Sequence, residues 1–250
     1  MVSFIEFCEL IGVELTTAQS VFARVAFDGA EPRDLKGQER ELAVQIFGRV
    51  DTIPPIARLV VAVAAGARSG KSYLGALRLL HLALVTPLTT LAPGEQAAAI
   101  IVAPDMRLAR QALRFALGAV ERTPDLRRLL RAQTADSFTI ERRDQHIVTV
   151  EALPATRGGA AVRGRSLVSA LLDEFAFFRD ESAVVNDAQT HDAISPRVVR
   201  GGQLLEVSTT WAEAGLLYKF WSEQFGKPST LTRNDPILLA RIGPVPFQEA

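Results

Sequence analysis

A chain of 250 residues with 48% hydrophobic residues, 22% charged residues and a formal net charge of zero has the composition of a globular protein, built as one large domain or two small ones. The zero balance excludes a protein that grips nucleic acid by bulk electrostatics alone, and no apolar run approaches the roughly 20 residues that cross a bilayer. Cys8 is the single cysteine, which excludes an intrachain disulfide and a cysteine-based zinc site; the acidic opening MVSFIEFCEL does not read as a secretory signal, so an intracellular protein is expected.

Residues 1 to about 28 place Phe4, Phe7, Ile11, Leu15, Val21, Phe22 and Val25 near helical spacing, which predicts an amphipathic helical stretch. Its apolar face either lies on the core or docks a partner. Asp28 to Pro32 breaks the pattern, Asp34 to Val50 resumes as a helix, and Pro54-Pro55 ends it. Gln38 or Arg49 could touch an adenine base from there, although a solvated helix face is the simpler reading of both residues.

Leu59 to Ala65 is a short, Val-rich apolar run that fits a strand buried on both faces. It leads into Gly66-Ala67-Arg68-Ser69-Gly70-Lys71-Ser72, and helical periodicity follows from Tyr73 to Val85. A strand, a small-residue turn and a helix N-terminus together form a phosphate cradle. Backbone N–H groups turn inward, Lys71 reaches the β- and γ-phosphates, and the Ser72 hydroxyl can ligate Mg²⁺. Ala65 occupies the place of the first glycine in G-x-x-x-x-G-K-[ST], with Gly66 one residue later.

After a Pro/Thr/Gly-rich loop over Thr86 to Glu95, Ala97 to Ala103 predicts a second buried strand. Pro104-Asp105 opens a helix to about Glu121, and Pro124 to Arg131 predicts a short basic helix. Ser137–Glu141 and His146–Glu151 alternate as strands of a hairpin turning at Arg142 to Gln145. The βαβ alternation predicts a mostly parallel sheet flanked by helices, with a β-hairpin insertion.

Ser166 to Phe178 reads SLVSALLDEFAFF, a third buried strand with Asp173-Glu174 at its C-terminal end, where open parallel sheets bind ligands. An aspartate there can hold Mg²⁺ and the adjacent glutamate can orient or deprotonate water, so Asp173 is the candidate metal-side acid and Glu174 the candidate base. Gln203 to Ser208 predicts a fourth strand ending in Ser208-Thr209-Thr210, whose hydroxyls either sense the γ-phosphate or form an ordinary cap. Gly215 to Phe225 predicts a helix with Tyr218, Phe220 and Trp221 mostly in the core. Arg68 in the loop, and Arg157, Arg163 and Arg165 in the Gly-rich ATRGGAAVRGR, are either charge donors to a transition state or parts of solvated turns.

GARSGKS, LAPGEQAAAIIVAPDMRLARQALRF, VRGRSLVSALLDEFAFFRDESA and STTWAEAGLLYKFWSEQFGK, in that order, resemble the ATPase domain of the large terminase subunit of tailed double-stranded DNA bacteriophages. The resemblance covers roughly residues 55 to 227, and DEFAFFRDESA with its upstream Arg-Gly is its most specific part. It implies a P-loop NTPase of the ASCE type that hydrolyses ATP with Mg²⁺ and drives double-stranded DNA into a procapsid. It also implies a homo-oligomeric ring, usually a pentamer, on the portal protein, with the small terminase subunit as a further partner and the host bacterial cytoplasm as the place of work. By residue, Lys71 and Ser72 match Walker A, Asp173 and Glu174 match Walker B, and Arg68 falls near the P-loop arginine. Arg163, eleven residues before Glu174, matches a trans-acting arginine finger in some members, and Ser208-Thr209-Thr210 matches the coupling motif.

The organisation expected is a helical segment over 1–54 packed on the core, a P-loop core over 55–227 and a tail over 228–250. Only Glu213, Glu223, Asp235 and Glu249 follow residue 212, so no nuclease activity is expected from this stretch. Two other readings are a helicase-like nucleic-acid-dependent ATPase and a catalytically silent P-loop assembly module.

Overall fold

The computed structural model describes residues 2–48, 59–92, 94–156, 162, 164–178, 187–210, 213–226 and 237–242. The N-terminal stretch is two helices rather than one. α1 (Phe4–Leu10) is capped by Ser3 with Glu6 reaching back, and α2 (Thr17–Ala26) by Thr16 with Gln19 reaching back. Gly12 at φ 69° turns the chain between them, and each capping box restarts the hydrogen-bonding that an uninterrupted helix would have supplied. α3 runs over Gln38–Phe47, shorter than expected, because Pro32–Asp34 forms a single 3₁₀ turn and Gly37 sits at φ 54°.

β1 (Val60–Ala65), β2 (Ala97–Ala103) and β6 (Ser166–Asp173) are the buried strands expected, and α4 (Lys71–Val85) and α5 (Met106–Arg122) follow the first two. Asp105 accepts the Leu108 N–H at 2.9 Å and starts α5. α6 is a single turn, Pro124–Arg127. The helix expected to continue to Arg131 instead gives way to β3 (Leu130–Gln133), which pairs antiparallel with β4 (Ser137–Glu141). Leu and Arg favour a helix, but pairing with β4 overrides that weak local preference. β4 pairs antiparallel with β5 (Ile147–Pro154) across the expected turn, so the inserted hairpin is a three-stranded meander.

α7 (Asp187–Ile194) precedes β7 (Val198–Ser208), and α8 (Gly215–Gln224) precedes β8 (Ile237–Ile242). Trp221 stacks on Phe225 at 3.8 Å, while Phe220 alone of the three expected aromatics is buried. β8 lies in the stretch expected to be a tail, yet it pairs in parallel with β1.

The sheet order is β3-β4-β5-β2-β6-β7-β1-β8, and the six strands from β5 to β8 run parallel. β7 thus lies between the strand that leads into the phosphate loop and the strand that ends in Asp173. Alternate residues face two layers. Val61, Val63, Ile101 and Leu171 meet α1 to α5, whereas Ala62, Ile100, Leu172 and Leu204 meet α8 and the turn after β6. This is the α/β P-loop fold with the extra central strand of the ASCE arrangement. No helix among the described residues is long and apolar enough to cross a membrane.

The register of β6 on β7 shifts between Leu167 and Ser169, and beyond the shift Asp173 lies beside Val207. Gly202 makes this possible, because a Cβ there would sit 2.5 Å from the Val168 carbonyl oxygen. Gly202→Ala is therefore expected to cost about 1–3 kcal/mol of stability, read as a lowered urea midpoint.

Candidate active site

The phosphate loop begins one residue later than the sequence motif implies. Ala65 is the last residue of β1, fully buried and paired with Ile242, and the turn starts at Gly66, whose N–H donates to the Ile242 carbonyl at 3.2 Å. A glycine is not needed at Ala65 because the chain there is still extended. Gly70 is needed: it sits at φ 82° as the N-cap of α4, and a Cβ would come within 2.8 Å of Gln19 Nε2.

Gln19 belongs to the site, and its sequence signal was its place three residues after Thr16. Its Oε1 accepts the Thr16 N–H at 3.0 Å as part of the α2 cap, and its Nε2 donates to the Ser69 carbonyl at 3.3 Å. One amide therefore ties α2 to the phosphate loop. Ala67 and Arg68 are exposed, Arg68 in the left-handed region at φ 60°. The Ser69 hydroxyl is buried without a hydrogen-bond partner among the described residues.

Lys71 and Ser72 open α4 and face the end of β6. Lys71 Nζ lies 2.9 Å from Glu174 Oε1, and the lysine side chain is only 8% exposed. Ser72 Oγ donates to Asp173 Oδ1 at 2.9 Å. Glu174 adopts a left-handed conformation at φ 57°, ψ 44°, an unusual geometry for a residue with a Cβ that the surrounding bonds hold in place. Its other oxygen, Oε2, accepts from Thr209 N at 3.1 Å and Thr209 Oγ1 at 3.0 Å. Ser208 Oγ lies 3.3 Å from the same oxygen and 2.8 Å from the Thr209 carbonyl, and accepts the Ala176 N–H at 3.2 Å. Its single hydrogen serves one of the two oxygens at a time.

The two acids have opposite electrostatics. Burial pushes Asp173 up to about 6, only partly offset by the Ser72 hydroxyl, and the neighbouring Glu174 charge adds to the rise. Burial also acts to raise Glu174, but the hydrogen bonds from Lys71 and Thr209 together hold it below the ordinary carboxylate range. Glu174 is thus an anion held by three committed donors, with Ser208 as a shared fourth, and Asp173 a carboxyl that resists ionising.

Gly66, Ser69, Gly70, Lys71, Ser72, Asp173, Glu174, Ser208 and Thr209 converge as the sequence reading expects, and partly buried Thr210 follows in the same segment. Arg157 and Arg163, like Arg49, lie outside the described residues. Arg165, in the same Gly-rich loop, is ion-paired with Glu151 of β5 and so serves the sheet. Gln38 is exposed at the start of α3.

Because Asp173 titrates near 6 in the fold and near 4 unfolded, its ionisation costs stability as pH rises from about 4 to about 6, and the cost is complete above that. Asp173→Asn is expected to stabilise the chain at pH 8, by up to about 3 kcal/mol, with the gain vanishing at pH 4. Urea unfolding at both pH values measures it.

The family model for the N-terminal part of the terminase large subunit, T4-like-virus type, matches residues 63–236. Among solved structures, the ATPase domain of the Thermus phage P74-26 large terminase aligns with a TM-score of 0.61 at 17% identity, over 95% of this chain and 84% of that one. The large terminase of bacteriophage HK97 aligns with a TM-score of 0.58 at 16% identity, over 97% of this chain and 44% of that one. This chain therefore spans less than half the length of the HK97 protein, and at such identities both structures speak to the fold. No curated protein sequence matches. The match over residues 63–236, on a sheet and a phosphate loop of this form, places the chain in the terminase large-subunit family of the T4-like-virus type, in its N-terminal region.

Proposed function

We propose that this chain hydrolyses ATP as the motor domain of a phage terminase that translocates double-stranded DNA into a procapsid. The observation that carries the reading is the Glu174 carboxylate, held by Lys71 on one oxygen and by Thr209 on the other, beside the Ser72–Asp173 pair. A base for water attack, a lysine for the transferred phosphoryl group and a hydroxyl–carboxylate pair for a divalent cation are the parts that phosphoryl transfer to water requires.

Ser72 Oγ and Asp173 Oδ1 are hard oxygen donors of the kind Mg²⁺ takes. Among the described residues no cluster of three His, Cys, Asp or Glu could hold a metal alone, which fits a site that shares its ion with substrate phosphates. Mg²⁺ held there by Ser72 and Asp173 would supply positive charge against the bound triphosphate. The chain's own residues do the rest. The triphosphate takes Lys71 from Glu174, and the freed Oε1 orients the attacking water and accepts its proton. Oε2 stays on Thr209, so departure of the γ-phosphate is felt at the end of β7. Arg68, and Arg163 from a neighbouring subunit, neutralise the transition-state charge. The assembly we infer is a homo-oligomeric ring, a pentamer, on the portal protein, with the small terminase subunit as partner and the host cytoplasm as compartment.

The decisive measurement is steady-state ATPase rate against protein concentration. Glu174→Ala is expected to abolish turnover, and wild-type specific activity to climb with concentration, a climb that Arg163→Ala flattens. A wild type that never turns over, with DNA and portal present, overturns the motor reading. Separately, Glu174→Gln is expected to lower turnover at least 100-fold. The same variant is expected to bind ADP no more weakly than wild type, since Lys71 loses the carboxylate that competes with phosphate; titration calorimetry checks this.

A further inference from the structure

Arg78, midway along α4, is 5% exposed, yet every group it bonds is neutral. Nε donates to Gln203 Oε1 at 3.0 Å, Nη2 to the Phe27 carbonyl at 3.1 Å and Nη1 to His81 Nδ1 at 2.9 Å. The Phe27 ring lies 4.8 Å from the guanidinium carbon. The imidazole can accept because its Nε2–H is committed to the Val2 carbonyl at 3.0 Å; burial and the Arg78 charge push His81 down to about 4, so it is neutral at pH 7. Among the described residues no carboxylate oxygen forms an ion pair with Arg78. Asp28 acts on it from a distance, but its two oxygens accept the N–H groups of Phe4 at 2.6 Å and Ile5 at 3.3 Å. Burial lowers Arg78 only to about 10, so the cation persists.

A buried cation without an ion-paired carboxylate is costly, and among the described residues only three of its five N–H donors find a hydrogen-bond partner. It also lines a cavity of about 620 Å³, a volume in the range of small-ligand sites. The same cavity is lined by the exposed Arg200 of β7, Thr89, Thr90, neutral His81, and Asp28. Two guanidinium groups against one carboxylate leave it with a net positive charge. His81 is ten residues along α4 from Lys71, about 15 Å at 1.5 Å per residue, so the cavity lies away from the phosphate loop.

We propose that this cavity is a second site for a phosphate-class oxyanion, with Arg78 and Arg200 sharing its charge and Thr89 and Thr90 adding donors. The site is independent of what the phosphate loop does. The oxyanion is either free phosphate or a phosphate of a nucleic-acid backbone.

The test titrates inorganic phosphate into the full chain carrying Lys71→Ala, which disables the phosphate loop, and compares that parent with Arg200→Ala and Arg78→Lys in the same background. Loss of one charged donor is expected to weaken phosphate binding about tenfold in Arg200→Ala. Arg78→Lys, which keeps the charge but loses the planar fork, is expected to weaken it at least as much. Arg200 is exposed, so its removal keeps the test valid if Arg78→Lys unfolds. A short DNA duplex that displaces bound phosphate from the parent identifies a backbone phosphate as the ligand, and a duplex that leaves phosphate bound identifies the free anion. Equal phosphate affinity in the parent and Arg200→Ala, or no binding by the parent into the millimolar range, overturns the proposal.

Discussion

Lys71 is buried where a bare ammonium is not tolerated, and its charge is answered by Glu174. Much of the site's architecture follows from this pairing. Glu174 must sit in the left-handed region to bring its carboxylate over the start of α4, and it stays there because Thr209 and Ser208 crowd its second oxygen. Those residues reach it because β7 is inserted between β1 and β6, and because Gly202 lets β7 approach β6 at the register shift. The loop that presents Lys71 is braced from the other side by Gln19. A nucleotide arriving at the loop therefore meets a lysine that already has a partner, and the phosphate must compete with a carboxylate for it.

The neighbouring Asp173 shows a different economy. It is buried, poorly compensated and pushed up to about 6, which a residue kept only for stability would not be. The fold tolerates this because Ser72 supplies one hydrogen bond and β6 from Leu167 onward is buried on both faces and mostly apolar. Stability is lost locally at the position where the proposed cation would take its oxygen donors.

The buried strands, the loop and the acids were legible because each is a short-range pattern: an uninterrupted apolar run followed by Gly-Lys-Ser or by Asp-Glu. What the sequence hid depends on partners far along the chain. β3 reads as helix from its Leu and Arg content, and only its pairing with β4 makes it a strand. β8 is a six-residue segment, apolar but for Arg241, and it becomes a strand because the edge of β1 is there to receive it. The place of Gln19 three residues after Thr16 marks a helix cap, but its bond to Ser69 spans fifty residues and has no local signal. Arg78 and Gln203, buried together, are 125 residues apart, and no local periodicity marks either.

Directly after Glu174 the chain forms a single 3₁₀ turn, Phe175–Phe177, and the rings of Phe175 and Phe178 are wholly buried in an edge-to-face contact at 5.4 Å between centroids. This pair anchors the backbone that carries the acid. With the main chain fixed, Glu174 and Lys71 can part only through side-chain torsions. Such rotations take picoseconds to nanoseconds where the side chain has room, far faster than loop or domain movement. The exchange of partners at Lys71 is therefore quick compared with enzymatic turnover, and the slow steps of any cycle built on this site belong to larger pieces of the molecule.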